Sequence, residues 1–152
     1  MEIAVLGIDL GKNSCSLAGL DEAGAVAKRR RLRPENIPVF TRSMPACVVA
    51  MEACCGAHHL GRLLAAQGHT LRLMPPEYVR PYVRAQKNDD RDAEAIAEAA
   101  SGPRMRFVEI KSAEQLDMPT LHRARERLVG ERTALIKQLR VILPEPGVTV
   151  AQ

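Results

Sequence analysis

The chain has 152 residues, 46% of them hydrophobic and 26% charged, with a net charge of +4. That is room for one compact domain and an appendage, and it excludes a disordered chain. Aromatics make up 3% with no Trp, which argues against a base-stacking platform, and no apolar run approaches the roughly 20 residues of a spanning helix. Cys15, Cys47, Cys54 and Cys55 lack disulfide-framework spacing, and no secretory pattern opens the chain, so reduced cytoplasmic thiols are expected.

Residues 2–10 (EIAVLGIDL) and 14–20 (SCSLAGL), separated by Gly11-Lys12-Asn13, read as strand, turn, strand. Turn chemistry in 21–24 leads to a third antiparallel strand over 25–33. A short helix is expected over 35–43. Then follows the fully apolar run 46–51 (ACVVAM), suited to a buried parallel strand that delivers Glu52 at its carboxyl end. Leu60, Leu63 and Leu64 give helical spacing over 57–67, ended by Gly68, and 70–74 is again a strand, completing a βαβ unit. Pro75-Pro76 starts a short helix through Arg84, and Asn88 caps one running from Asp89 to about Ala100. Residues 104–110 suit a last extended segment. Ser112 caps a long helix reaching Leu143, which Pro119 should kink or restart. That helix carries Leu121, Leu128, Leu135 and Ile142 at sevenfold spacing, a narrow stripe compatible with packing on its own domain or with a coiled coil to another chain.

Positive charge is concentrated rather than spread. Lys28, Arg29, Arg30, Arg31 and Arg33 fall within six positions, and Arg123 and Arg127 belong to a second basic stretch on the long helix. One such run is as compatible with a solvated strand face as with phosphate binding, whereas two favour a polyanionic partner. Lys12 in the first turn is a further candidate for phosphate.

Four acids stand at the edges of regular elements: Asp9 ends the first strand, Glu52 ends the parallel strand, and Asp89 and Asp92 lie at i and i+3 on one helix face. A meander followed by βαβ sets the first strand beside the parallel one, bringing Asp9 and Glu52 together. Clustered carboxylates repel unless cations occupy the site, so Mg²⁺ or Mn²⁺ is implied. Two ions about 4 Å apart suit in-line phosphodiester chemistry. Each acid alone reads more readily as a cap or surface charge than as catalytic, and spacing does not exclude Asp90 or Glu94 from the set.

The ordered segments GIDLGKNSCSLAGLD, VVAMEACCGAHHLGRLLAAQGHTLRLMPPEYVRPYVRAQKNDDRDAEAIAEAA and MRFVEIKSAEQ, which span nearly the whole chain, resemble the amino-terminal domain of the insertion-sequence-110 family of DEDD transposases, relatives of pilin-gene invertases. The resemblance implies an α/β, ribonuclease-H-like (RuvC-like) mixed sheet flanked by helices, with catalytic and metal-binding Asp9, Glu52, Asp89 and Asp92. It implies a catalytic domain over 1–111, a long helix over 112–143 and a tail over 144–152, with the family's serine-bearing second domain absent. It further implies a DNA substrate, a structured guide RNA, an assembly of several subunits and a nucleoid-associated protein in a bacterial cytoplasm. Two other functions stay open: a non-catalytic DNA- or RNA-binding fragment, and an actin-like ATPase or kinase, whose phosphate loop GIDLGK resembles but whose duplicated domain this length cannot hold. Cys54, Cys55, His58 and His59 invite zinc, yet adjacent pairs poorly surround a tetrahedral ion, and an apolar strand end followed by Gly56 and a helix start explains them better; His58 or His59 could contact phosphate.

Overall fold

A computed structural model describes residues 2–82 and 89–149, with backbone alone for Asp89 and Asp90. It divides into two compact units, Met1–Ile110 and Lys111–Gln152. The first unit holds a five-stranded sheet of order β3-β2-β1-β4-β5, with β1 Val5–Asp9, β2 Cys15–Leu20, β3 Val26–Leu32, β4 Val48–Glu52 and β5 Thr70–Met74. β1, β2 and β3 pair antiparallel, and β4 and β5 extend the sheet parallel to β1. This is the ribonuclease-H-like mixed sheet expected from the sequence. Among the described residues no helix is long and apolar enough to cross a membrane.

Both faces of the sheet are covered, so β2 is buried along its whole length instead of alternating. On one face Leu6, Ile8, Leu17, Val49 and Met51 pack against Ile37 of α1 (Ile37–Arg42) and Leu60 and Leu64 of α2 (Ala57–Ala66). A 3₁₀ turn, Pro34–Asn36, leads into α1. On the other face Ala50 and Met74 meet Val79 of α3 (Pro76–Val79) and Ile96, Ala99 and Ala100 of α4 (Asp89–Ser101). The proposed cap Asn88 and the expected helix end at Arg84 lie outside the described residues.

Helix α4 lies against β1 and β2 with very little between the backbones. A Cβ on Gly7 would collide with the carbonyl oxygen of Ala93 and stand 2.8 Å from Ala97 N and 2.9 Å from its Cβ. Two arginines reach α4 from the sheet's opposite edges. Arg29 of β3 bonds through Nε to Glu94 Oε1 at 2.5 Å, and Arg72 of β5 donates through Nη1 to the Ala100 carbonyl at 2.6 Å.

Two sequence expectations change. Residues 104–110 form no full strand: Val108 alone bridges Leu73, its N–H donating to the Leu73 carbonyl at 2.7 Å, while Arg72 sits 5.1 Å from the Phe107 ring centroid. Pro119 does not restart the long helix, because α5 runs unbroken from Ala113 to Ile142. Pro119 lies in its second turn, past the four amides that lack intrahelical acceptors, so the helix continues through it without the bond that position would make to the Gln115 carbonyl. Ser112 and Gln115 close the helix start as a capping box, with Gln115 N–H to Ser112 Oγ at 3.2 Å and Ser112 N–H to Gln115 Oε1 at 2.9 Å.

Substituting Gly7→Ala forces a methyl into backbone atoms that cannot swing aside. Overpacking of this kind costs about 1–3 kcal/mol. Urea unfolding should show the lowered midpoint, whereas Gly24→Ala, where the added Cβ meets nothing within 4 Å, should cost only the strain of its positive φ.

Candidate active site

Strand alternation decides which side chains share a face. Along β1, Leu6 and Ile8 point to the α1–α2 core, so Gly7 and Asp9 point to the α4 face. Along β4, Val49 and Met51 belong to the first core and Ala50 to the second, so Glu52 also points to the α4 face. The parallel register Ile8↔Met51 makes Asp9 and Glu52 the next pair along neighbouring strands, which lie about 4.8 Å apart. After Glu52 the chain turns sharply through Cys54 and Cys55, with Gly56 at φ 88°, before α2 begins. Only glycine adopts that conformation without penalty.

Helix α4 brings Asp92 to the same edge. The Glu52 carboxyl is held above its usual range first by burial, then by the negative charges of Asp9 and Asp92, with Arg80 opposing. Three of the four acids singled out in the sequence thus act on one another. The side chain of the fourth, Asp89, and that of its neighbour Asp90 lie outside the described residues. Glu94 is turned to Arg29 instead. Asp92 Oδ1 is buried with no hydrogen-bond partner, an arrangement that leaves a desolvated acceptor costing about 1–3 kcal/mol.

Among the described residues no group of three or more His, Cys, Asp or Glu side chains is close enough to hold a metal ion. The Asp89 side chain is not among them. An orphaned carboxylate oxygen on Asp92 and a Glu52 destabilised as an anion are nonetheless the features a hard divalent cation with oxygen ligands would satisfy. Cys54 is exposed beside this edge, its thiol pushed up by lost hydration and then by the Glu52 charge.

The basic run divides. In the antiparallel register Arg29 stands opposite Ala18 and Arg31 opposite Ser16, on the α4 face, whereas Lys28 and Arg30 stand opposite Gly19 and Leu17 on the other. Ser16 is itself opposite Asp9, so Arg31, Ser16 and Asp9 form one transverse row across three strands. Lys28 lies 5.1 Å from the Phe40 ring centroid. Arg33 and Lys12 are exposed. In the second unit Arg123 is exposed, and Arg127 pairs with Glu131 at 2.8 Å. Exposed pairs of that kind are worth little and exchange readily for phosphate. Sequence reasoning did not single out Arg80 or Ser16, as nothing in their local sequence marks them; only the α3 turn and the β1–β2 register do.

The profile of a family described as "Transposase", the DEDD type of insertion sequence 110, matches residues 6–146. The chain is 47% identical over 147 residues to a probable family 20 transposase of Pseudomonas aeruginosa, covering 97% of this chain and 44% of that protein. It is 44% identical over 151 residues to the transposase for insertion sequence element IS1111A of Coxiella burnetii, covering 99% of this chain and 42% of that protein. The chain therefore spans less than half the length of these relatives. Among solved structures, Thermus thermophilus RuvC in complex with a Holliday junction substrate superposes with a TM-score of 0.47 at 16% identity, over 70% of this chain and all of that one.

Because the Glu52 carboxyl is raised in the fold, the folded state holds its proton to higher pH than the unfolded state does. Stability without metal should fall as pH rises from the ordinary glutamate range through the raised value, since the unfolded chain binds fewer protons in that window. Glu52→Gln should flatten this slope and stabilise the metal-free protein at neutral pH, read as melting temperature against pH in a chelating buffer.

Proposed function

This chain belongs to the insertion-sequence-110 type of DEDD transposases, and we propose that it binds DNA and carries the acidic centre for metal-dependent phosphodiester chemistry in DNA transposition. The observation that carries this reading is the meeting of Asp9, Glu52 and Asp92 at one sheet edge, with a buried Asp92 oxygen left unpaired.

Asp9, Glu52, Asp89 and Asp92 would hold Mg²⁺ or Mn²⁺. The bound cation supplies Lewis acidity toward a phosphodiester. The chain's own groups do the rest. Strand ends and a close-packed helix hold the carboxylates in place, so little reorganisation is needed when a phosphate arrives. Arg31, in the transverse row with Ser16 and Asp9, meets a phosphate at close approach, and Lys12, Lys28, Arg30, Arg33, Arg123 and Arg127 attract the nucleic-acid backbone from farther away. Such contacts position a strand without reading its bases. A serine-bearing second domain and a structured guide RNA complete this reading: the serine acts as nucleophile in strand exchange, and the guide is the source of sequence choice.

Millimolar Mg²⁺ or Mn²⁺ should raise the melting temperature, with a ligand at 100 times its Kd contributing about 2.7 kcal/mol. Asp9→Asn should remove most of that rise, and the same substitution should abolish metal-dependent cleavage of branched DNA wherever the native protein shows it. A metal response unchanged in Asp9→Asn would place the ion elsewhere and end the proposal. In metal-free buffer, binding to any duplex should weaken steeply with salt. Arg30→Gln should flatten that dependence more than Arg31→Gln does, because Arg31 faces the acids, whose negative charge offsets its own.

Helix α5 supports self-association. It contains no buried residue, and its row Leu121, Leu128, Leu135 and Ile142 is 53–66% exposed. A heptad row left open in this way gains by pairing with another copy. Leu128→Lys with Leu135→Lys should convert an oligomer to a monomer in sedimentation; a strictly monomeric native chain at high concentration would remove the basis for this interface.

A further inference from the structure

The sheet edge that ends in Asp9 and Glu52 has a second side. On the α1–α2 face a cavity of about 940 Å³ opens between the β1–β2 turn, the 3₁₀ turn before α1 and the start of α2. Its wall is aliphatic, with Leu10, Pro38, Leu60 and Leu63. Leu63 remains 40% exposed, so this apolar wall is open to water. Lys12, Glu35 and His59 also line the cavity. The volume is that of a site for a small organic group, such sites spanning about 300–1,000 Å³.

Continuity with the acidic centre identifies the occupant. Leu10, Gly11 and Lys12 directly follow Asp9, and Cys54, Cys55 and Gly56 closely follow Glu52; all six line the cavity. A strand held by phosphate at the acids therefore needs to cross only the sheet edge to reach it. An apolar protein segment would cover the leucines but leave Lys12, Glu35 and His59 dehydrated without partners, which is costly. A nucleobase joins a flat apolar face to an edge of donors and acceptors, on a backbone whose phosphates complement Lys12.

We propose that this cavity receives one unstacked nucleobase of the DNA strand whose phosphodiester lies at the acidic centre. The inference rests on the reading of the preceding subsection. The base packs on Leu10, Pro38, Leu60 and Leu63 instead of an aromatic ring, and the neighbouring phosphate meets Lys12. Glu35 accepts from an exocyclic amine, which favours cytosine or adenine over thymine at that one position.

The test uses the native chain with Ca²⁺ in place of Mg²⁺, an ion that oxygen ligands also hold, and 2-aminopurine placed in turn at each nucleotide around the branch point of a DNA junction. One position should brighten at least twofold on binding, as expected when a base leaves its stack. Leu63→Asp, a change at a partly exposed site, should abolish the brightening while fluorescence anisotropy still reports bound DNA. Glu35→Ala should erase the preference for cytosine over thymine at that position. Bound DNA with no brightened position, or brightening that persists in Leu63→Asp, overturns the proposal and leaves the transposase reading standing. Failure of every DNA to bind at low salt overturns that reading instead. As the chain has no Trp, Leu63→Trp provides a single reporter. A blue shift of its emission on self-association without DNA would assign the cavity to a second copy of the chain and overturn the base assignment.

Discussion

The contact between Gly7 and the backbone of α4 governs the rest of the acidic edge. With no side chain at Gly7, Ala93 and Ala97 approach β1 closely enough that a single methyl would collide. Asp9 lies two positions beyond Gly7 on the same face, and Asp92 immediately precedes Ala93. The separation of the two carboxylates is thereby tied to how closely helix and strand pack. Small residues lose little side-chain entropy on burial, so the interface is inexpensive to form, but being smooth it does little to oppose sliding. Arg29 and Arg72 supply the direction that alanines lack, each bonding to α4 from an opposite edge of the sheet.

Close packing of this kind has an electrostatic cost. Asp9, Glu52 and Asp92 are drawn together in a partly dehydrated place, the Glu52 carboxyl is raised, and one Asp92 oxygen is buried without a donor. None of this improves stability, and apolar residues of similar size would be accepted more readily. Strain held where function needs it, and offset by well-packed cores on both faces of the sheet, is the usual relation between an active site and its scaffold.

Much of this was legible in the sequence because the signals were local. Apolar runs and turn chemistry located the five strands, Asp9 and Glu52 fell at strand ends, and Ser112 announced the long helix. What the sequence hid was non-local. Gly7 reads as one small residue in a strand; only the arrival of α4 makes its missing side chain decisive. Arg80 and Ser16 join the edge through tertiary placement and register. The run 104–110 has strand composition but makes one bridge to Leu73, since composition does not say whether an edge will accept a full partner. Pro119 reads as a helix breaker by residue type, yet α5 continues through it.

The basic segment of β3 shows the same limit and changes how the edge must work. Consecutive arginines look like one patch, yet a pleated strand sends alternate residues to opposite faces. Arg29 and Arg31 go to the acids, while Lys28 and Arg30 go toward Phe40 and α1. On the α4 face Arg29 is engaged by Glu94, so Arg31 and Arg80 are the main positive charges set against Asp9, Glu52 and Asp92. This edge has no surplus of positive charge with which to draw in a phosphate. A divalent cation there would do two things together: satisfy the carboxylates and reverse the local field that a phosphodiester meets. On the proposed reading, attraction of the DNA backbone at a distance would come from other surfaces, the far side of β3 and the arginines of α5, and long-range capture and close approach would be carried by different parts of the chain.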